Sequence, residues 1–364
     1  MDNFIQRLIA NLRIVWTIAS KDIIDALRNK TTLSILIASL TIMLTGRALP
    51  LLTRLSGTPI VYIYDQGEST LSQALIESEE IRVRMTNSRE ELEALLTGLG
   101  LEALGLVVPA DFDRTLESGA EPQLEGIVTW SNRFAASKLQ AEWEDRLSEL
   151  LDNPVRIDVE GHIVYPSHEN DGRTGMITST IVMIIATLGI FMAPYLLFEE
   201  KRTRTIDVLR VSPATTYQII AGKAIAGLSY TLTAAGIALA FNFASVVHWG
   251  IAILATIIAG LFAIGIGLVM GSIFDNAQDM GLWIGIPMGL VFAPVILAMS
   301  NRTPPEPLAT IINWVPTVPV IKAFNISFSG DGSQWVALRH LLMAAGVTLP
   351  IYLLVVWIAR RADR

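Results

Sequence analysis

From Thr174 to Phe198 the chain runs for 25 residues without one charged side chain. Roughly 20 mostly apolar residues are enough to cross about 30 Å of hydrocarbon. Inside a bilayer the backbone must satisfy its own hydrogen bonds, so such a run predicts a transmembrane helix. Four more runs follow: Ala224–Val247, Trp249–Phe274, Met280–Met299 and Leu341–Ala359. Thr32–Leu52 is interrupted by Arg47 and Pro50. Arg47 lies near one end, where a long side chain reaches the headgroups. The expected fold is a polytopic α-helical membrane protein of six spans.

Charge is distributed to match. Only 17% of the 364 residues are charged, against about 25% in a soluble domain. Between Arg54 and Arg173 stand 23 acidic and 10 basic residues, a net of −13; the rest of the chain holds 11 acidic and 17 basic. An acidic, soluble-looking block is thus set in a basic, apolar frame. That excludes a simple soluble enzyme, a disordered chain and a nucleic-acid binder. The chain has no cysteine, which removes disulfides, thiolate metal sites and cysteine nucleophiles.

Short-loop Lys and Arg stay cytoplasmic. Arg7, Arg13, Lys21, Arg28 and Lys30 precede the first span, Lys201, Arg202, Arg204, Arg210 and Lys223 fill the link after the second, and Arg360, Arg361 and Arg364 close the chain. With six spans all three clusters fall on one side. Both termini and the link are expected in the cytoplasm, with the acidic block outside. The domains read as 1–30, a cytoplasmic amphipathic interfacial helix; 31–55, the first span; 56–172, an extracytoplasmic α/β domain; and 173–364, five further spans with a cytoplasmic coupling segment at 199–223. In the first of these, Ile5, Leu8, Leu12, Val15, Trp16, Ala19, Ile23 and Leu27 recur at three- and four-residue steps. Its basic residues suit an anionic leaflet.

In the outside block, PIVYIY (59–64), IRVRM (81–85), LGLVVP (104–109), LEGIVTW (124–130) and VRIDVEGHIVY (155–165) read as strands. Thr70-Leu-Ser-Gln73 and Ser88-Arg-Glu-Glu91 read as capping boxes, with further helices near Asp111–Leu116 and Asn132–Leu151. This alternation predicts a small α/β domain with a largely parallel sheet, inserted between the first and second spans. It offers little chemistry. No G-x-G-x-x-G follows the first strand, and His162 and His168 stand six apart with no H-E-x-x-H. Asp111, Asp113, Glu142 and Glu144 read as solvated helix faces. No catalytic residue, metal site or resident cofactor is assigned.

In the frame, Gly281, Gly285 and Gly289 repeat at four-residue steps, as do Gly267 and Gly271. Small residues at that spacing let helices approach closely, in one subunit or between two. Asn242 is the one amide well inside a span, and helix-to-helix hydrogen bonding is its expected role. His248, beside Trp249, reads as an interface anchor. Charges within the spans are nearly absent, which argues against an ion-coupled carrier.

The link EEKRTRTIDVLRVSPATTYQIIAGK (199–223) sets Ile206, Val208, Leu209 and Val211 among Arg202, Arg204 and Arg210, and Ser212-Pro213 stops that helix. It resembles the E-x-x-x-x-T-x-x-x-L-x-x-x-P…G-K run after the second span of ABC type-2 exporter permeases. Thr205, Leu209, Pro213, Gly222 and Lys223 match; Arg204 and Asp207 stand where that family usually has Gly and Glu. The outside block, through VYIYDQGESTLSQAL (61–75) and LGLVVPADFDRTLESG (104–119), is similar to the family's insertion. NWVPTVPVIKAF (313–324) resembles its proline-rich stretch before the last span.

The resemblance implies a permease that dimerises with a second copy and binds two copies of a cytoplasmic P-loop ATPase. Arg202, Arg204, Thr205, Ile206, Leu209 and Pro213 would then couple to the ATPase. The sequence agrees: it has no G-x-x-x-x-G-K-[ST], since Tyr217 stands at the first glycine position before Gly222-Lys223 and Ala224 follows. ATP and Mg would belong to the partner. The expected function is outward movement of a lipid, amphiphile, drug or ion. The rivals are an ATPase-driven mechanical transducer acting on the cell envelope and a membrane-anchored sensor.

Overall fold

The computed structural model describes residues 2–28, 34, 37, 41, 60–78, 81–99, 103–168, 173–203, 214–299 and 305–362. The expected first span falls almost wholly outside these residues.

The N-terminal helix α1 covers Asp2–Arg28. Strand and helix then alternate through β1 (Ile60–Asp65), α2 (Thr70–Glu77), β2 (Arg82–Thr86), α3 (Arg89–Leu99), β3 (Leu104–Val108), α4 (Phe112–Glu117) and β4 (Gln123–Thr129). A 3-10 turn at Trp130–Ala135 leads into α5 (Ala136–Leu151), followed by the short β5 (Arg156–Asp158) and β6 (Ile163–Val164). The sheet order is β2-β1-β3-β4-β5, with β6 also on β4. Every pairing is parallel except β3–β4, where Leu106 faces Gly126.

Period-2 alternation builds two cores, one on each face. Val61, Ile63, Leu104, Leu106 and Val108 meet Leu71, Leu75, Phe112, Trp143 and Leu147 from α2, α4 and α5. On the other face Tyr62, Val107 and Ile127 meet Leu92 and Leu96 of α3. Gly105 lets α3 pack close, because a Cβ there would lie 2.6 Å from Leu96 Cδ1 and push that side chain aside.

The first capping box is displaced by one residue. Ser69, not Thr70, caps α2, its hydroxyl accepting from Ser72 N. The cause is Asp65, whose carboxylate accepts from Gly67 N at 2.9 Å and Ser69 N at 2.7 Å and turns the chain early. Burial works to raise the Asp65 pKa, but these bonds with those from the Ser69 and Ser72 hydroxyls outweigh it and hold the carboxyl below its ordinary value. At α3, Ser88 Oγ accepts from Glu91 N as expected, while Glu91 reaches back to Asn87 N rather than Ser88 N.

The membrane frame contains α6 (Arg173–Thr203), α7 (Thr216–Phe241), α8 (Trp249–Ile273), α9 (Ala277–Trp283), α10 (Gly285–Met299), α11 (Leu308–Asn313), α12 (Thr317–Phe328) and α13 (Gln334–Ala362). Among the described residues four helices are long and apolar enough to span: 174–198, 216–241, 249–273 and 334–361. The expected fifth span is not one straight helix. It is the pair α9–α10, bent by 45° and broken at Ile284. Pro287 accounts for the break, since it has no N–H and its ring opposes the carbonyl four residues back, Trp283. The molecule is a polytopic membrane protein with four or five such spans described. α8 is the hub, packed on α6, α7, α12 and α13. α12 is buried along nearly its whole length, with Lys322 the exception. Asn242 sits at the C-terminal end of α7, not within it, and its Nδ2 donates to Ala238 O of its own helix at 2.8 Å.

Candidate coupling site

Of the expected coupling residues, Arg202 is exposed on the last turn of α6. Arg204, Thr205, Ile206, Leu209 and Pro213 lie outside the described residues. Description resumes where Thr215 opens α7 with a reciprocal capping box to Gln218, a firm start that fixes α7's first turn.

That first turn is where α1 docks. Gln218 Nε2 donates to Asn11 Oδ1 at 2.9 Å. One turn on, Gly222 lets the backbones meet: a Cβ there would lie 2.7 Å from Ile18 Cγ2 and 3.2 Å from Val15 O. Lys223 Nζ then stands 3.3 Å from Asp22 Oδ2, with the two side chains only 1% and 7% exposed. Nζ also approaches Leu196 O of α6 at 3.5 Å, so the pair joins three helices. Finally, Tyr230 Oη donates to the backbone carbonyl of Ile23, with that of Asp22 3.2 Å away.

The partners advance together, from Asn11 with Gln218 to Ile23 with Tyr230. α1 and α7 therefore run parallel, in contact for about 18 Å at 1.5 Å per residue. Residues 11–23 stand against α7 on the face bearing Val15, Ile18, Ala19 and Asp22. Ile9, Leu12, Trp16 and Ile24 remain exposed on the outer face. The sequence pattern missed Asp22, although it falls four residues after Ile18 and three after Ala19. A carboxylate on that arc was the available signal.

Gly267 and Gly271 form the close contact between α8 and α6. A Cβ at Gly267 would lie 2.7 Å from Gly189 O, and one at Gly271 would lie 2.7 Å from Pro194 Cα. Beyond them Lys201 Nζ donates to Phe274 O at 2.7 Å and pairs with Asp275 at 3.0 Å, tying the C-terminal ends of both helices. Gly281, Gly285 and Gly289 differ: among the described residues an added Cβ at any of them meets no neighbouring atom within 4 Å.

At the opposite end of the bundle the α/β domain grips two loops. Trp130 stacks on Tyr165 at 4.9 Å, and Arg133 lies over the Trp130 ring at 3.6 Å. Arg133 donates to Ala244 O in the α7–α8 loop. Asp331, between α12 and α13, accepts from Ser167 Oγ at 2.7 Å and His168 N at 3.0 Å. Burial works to raise its pKa, but the bonds from Ser167 and His168 prevail and hold the carboxyl at about 2. His162 instead pairs with Glu125 at 2.8 Å, and among the described residues no three His, Asp or Glu side chains converge as metal ligands.

A family model described as "ABC-2 family transporter protein" matches residues 30–358. This chain belongs to the ABC-2 transporter family. It is similar to the protein named probable multidrug ABC transporter permease YbhR of Escherichia coli strain K12, 26% identical across 85% of this chain and 87% of the relative. It is also similar to the inner membrane transport permease YhhJ of the same strain, 23% identical across 94% and 97%. Within the ABC-2 frame the helices just described make a multi-pass membrane subunit. Its α1–α7 junction lies beside the ends of the 199–223 link.

Proposed function

We propose that this chain is the permease subunit of an ATP-driven exporter, working as a pair of copies with two copies of a separate cytoplasmic P-loop ATPase. ATP and Mg belong to that partner, and this chain performs no hydrolysis. The observation that carries the reading is the docking of an amphipathic N-terminal helix onto the base of α7, next to the 199–223 link. An ATPase needs such a platform to push on spans, and two-state movement of the bundle would follow. Arg202, Arg204, Thr205, Ile206, Leu209 and Pro213 supply the second contact. The exposed face of α9–α10, with Leu282, Ile286 and Leu290 beside the open glycines, is where a second copy would pack. Both termini lie in the cytoplasm and the α/β domain outside, in a cell membrane whose lipid covers the remaining apolar faces.

The substrate class is apolar or amphiphilic: a lipid, a hydrophobic drug or a similar compound. The relative named as a multidrug permease points the same way. A second reading is favoured by the grip of the α/β domain on the α7–α8 and α12–α13 loops. There the bundle would drive the outer domain mechanically, without moving a solute. The test is to purify the chain with its co-expressed ATPase, reconstitute the complex in vesicles and follow ATP-dependent movement of ethidium, an amphiphilic cation. Hydrolysis with dye movement supports export. Hydrolysis with no movement of any amphiphile supports the mechanical reading, and failure to bind an ATPase refutes both.

A further inference from the structure

We propose that α1 and α7 stay docked through the whole transport cycle, with the Lys223–Asp22 pair acting as a permanent latch that makes them one moving body. This rests on the exporter reading above and concerns how motion passes through the chain. Asp22 and Lys223 are positioning residues; neither is assigned to substrate or ATP.

Burial is what makes the latch permanent. Both side chains are almost wholly removed from solvent, and separating buried ions leaves each uncompensated in a medium that does not solvate it. A contact meant to open and close in each cycle is better built from groups that water can reach. The flanking contacts resist sliding as well. Tyr230 is held to the backbone of α1 at Ile23, and Gly222 admits Ile18 so closely that a helical slip would drive a side chain into backbone. Lys223 also reaches Leu196 O, which links the same body to α6 at the base of the span leaving the α/β domain. A push on α1 would therefore arrive in α6 and α7 together.

The absence of cysteine from the chain allows a clean test. In Asn11→Cys/Gln218→Cys, a short reducible thiol crosslinker would join α1 to α7 where the native amides already touch. The permease–ATPase complex is then assayed in vesicles for ATP hydrolysis and ethidium movement, before and after reduction with dithiothreitol. A tie that suits both end states equally shifts nothing between them, so activity should stay within about twofold of the unlinked protein. Loss of about tenfold or more, restored by reduction, would mean that the helices must part in the cycle and would overturn the proposal.

The pair itself is tested by neutralising both partners. The charges resist separation while both are present, but an apolar pair of similar volume holds the helices equally well, so Asp22→Leu/Lys223→Met should keep coupled activity within about twofold, whereas Lys223→Met alone leaves a buried carboxylate and loses folded protein. A double variant that folds and binds the ATPase but cannot couple hydrolysis to dye movement would show the ions to be a working switch. Failure of the wild-type chain to bind any ATPase would refute the exporter reading and is read separately, from co-purification.

Discussion

Gly267→Ala tests the α6–α8 contact with the smallest possible change. The new Cβ would lie 2.7 Å from Gly189 O, and 2.9 Å from both Ala193 Cβ and Pro194 Cδ. Ordinary contact begins near 3.4 Å, so the two helices must part locally by about 0.7 Å in a close-packed interior. No rotamer relieves the clash, because the nearest atom is backbone. Overpacking of this kind costs about 1–3 kcal/mol, offset by up to about 1 kcal/mol from replacing a helical Gly by Ala. With the full offset the net loss is about 0–2 kcal/mol, centred near 1 kcal/mol. Gly236→Ala, in α7 with nothing within 4 Å of its Cβ among the described residues, retains only the gain and serves as the control. Thermal unfolding in detergent, followed by tryptophan fluorescence, should show Gly267→Ala lowered by roughly 2–6 °C and Gly236→Ala unchanged or raised. Gly267→Ala as stable as Gly236→Ala would refute the contact.

Gly285→Leu should leave the fold of the single chain intact, because among the described residues its Cβ meets no neighbouring atom, yet weaken pairing of two copies by forcing backbones apart. Cross-linking yield in membranes reads this, and unaltered pairing would place the face against lipid. The Asp331 clasp should be acid-sensitive in a stated direction. With a folded pKa of about 2 against an ordinary 3.8, its stabilisation is complete above pH 3.8 and is lost as pH falls through 2. Asp331→Asn should flatten the stability profile across that window, and an unchanged profile would contradict the clasp. Sidedness reporters after Arg364 and within residues 112–122 should report opposite compartments, and the same compartment at both would overturn the six-span count.

Much of the α/β domain was legible because its signals are local. The β-branched runs at 60–64 and 104–108 became strands, and strand–helix alternation foretold a largely parallel sheet, but neither the strand order nor the antiparallel β3–β4 pair is written in local pattern. The first capping box slipped by one residue because Asp65 tightens the turn from four residues away, which a cap pattern does not include. Among the described residues of the frame, apolar length located the spans but not the break at Ile284, although Pro287 carried that information. The α1–α7 junction was least visible. Amphipathic reading assigns a carboxylate such as Asp22 to solvent, and its partner lies 201 residues along the chain. Glycine spacing announced close approach at Gly267 and at Gly285 alike, but whether an atom of this chain fills the space is a property of three-dimensional packing.

In the proposed exporter a separate ATPase drives this bundle through the 199–223 link. A helix in a groove relies on a few apolar anchors at three- and four-residue spacing, and Ile206 and Leu209 are the pair so placed. The decisive measurement compares wild type with Ile206→Asp and Leu209→Asp in co-purification with the ATPase and in ATP-dependent ethidium movement in vesicles. Both variants should fold and insert normally but lose the partner, or hydrolyse ATP without moving dye. Full partner binding and coupled activity in both would show that the link is only a solvated loop, and the claim would fail.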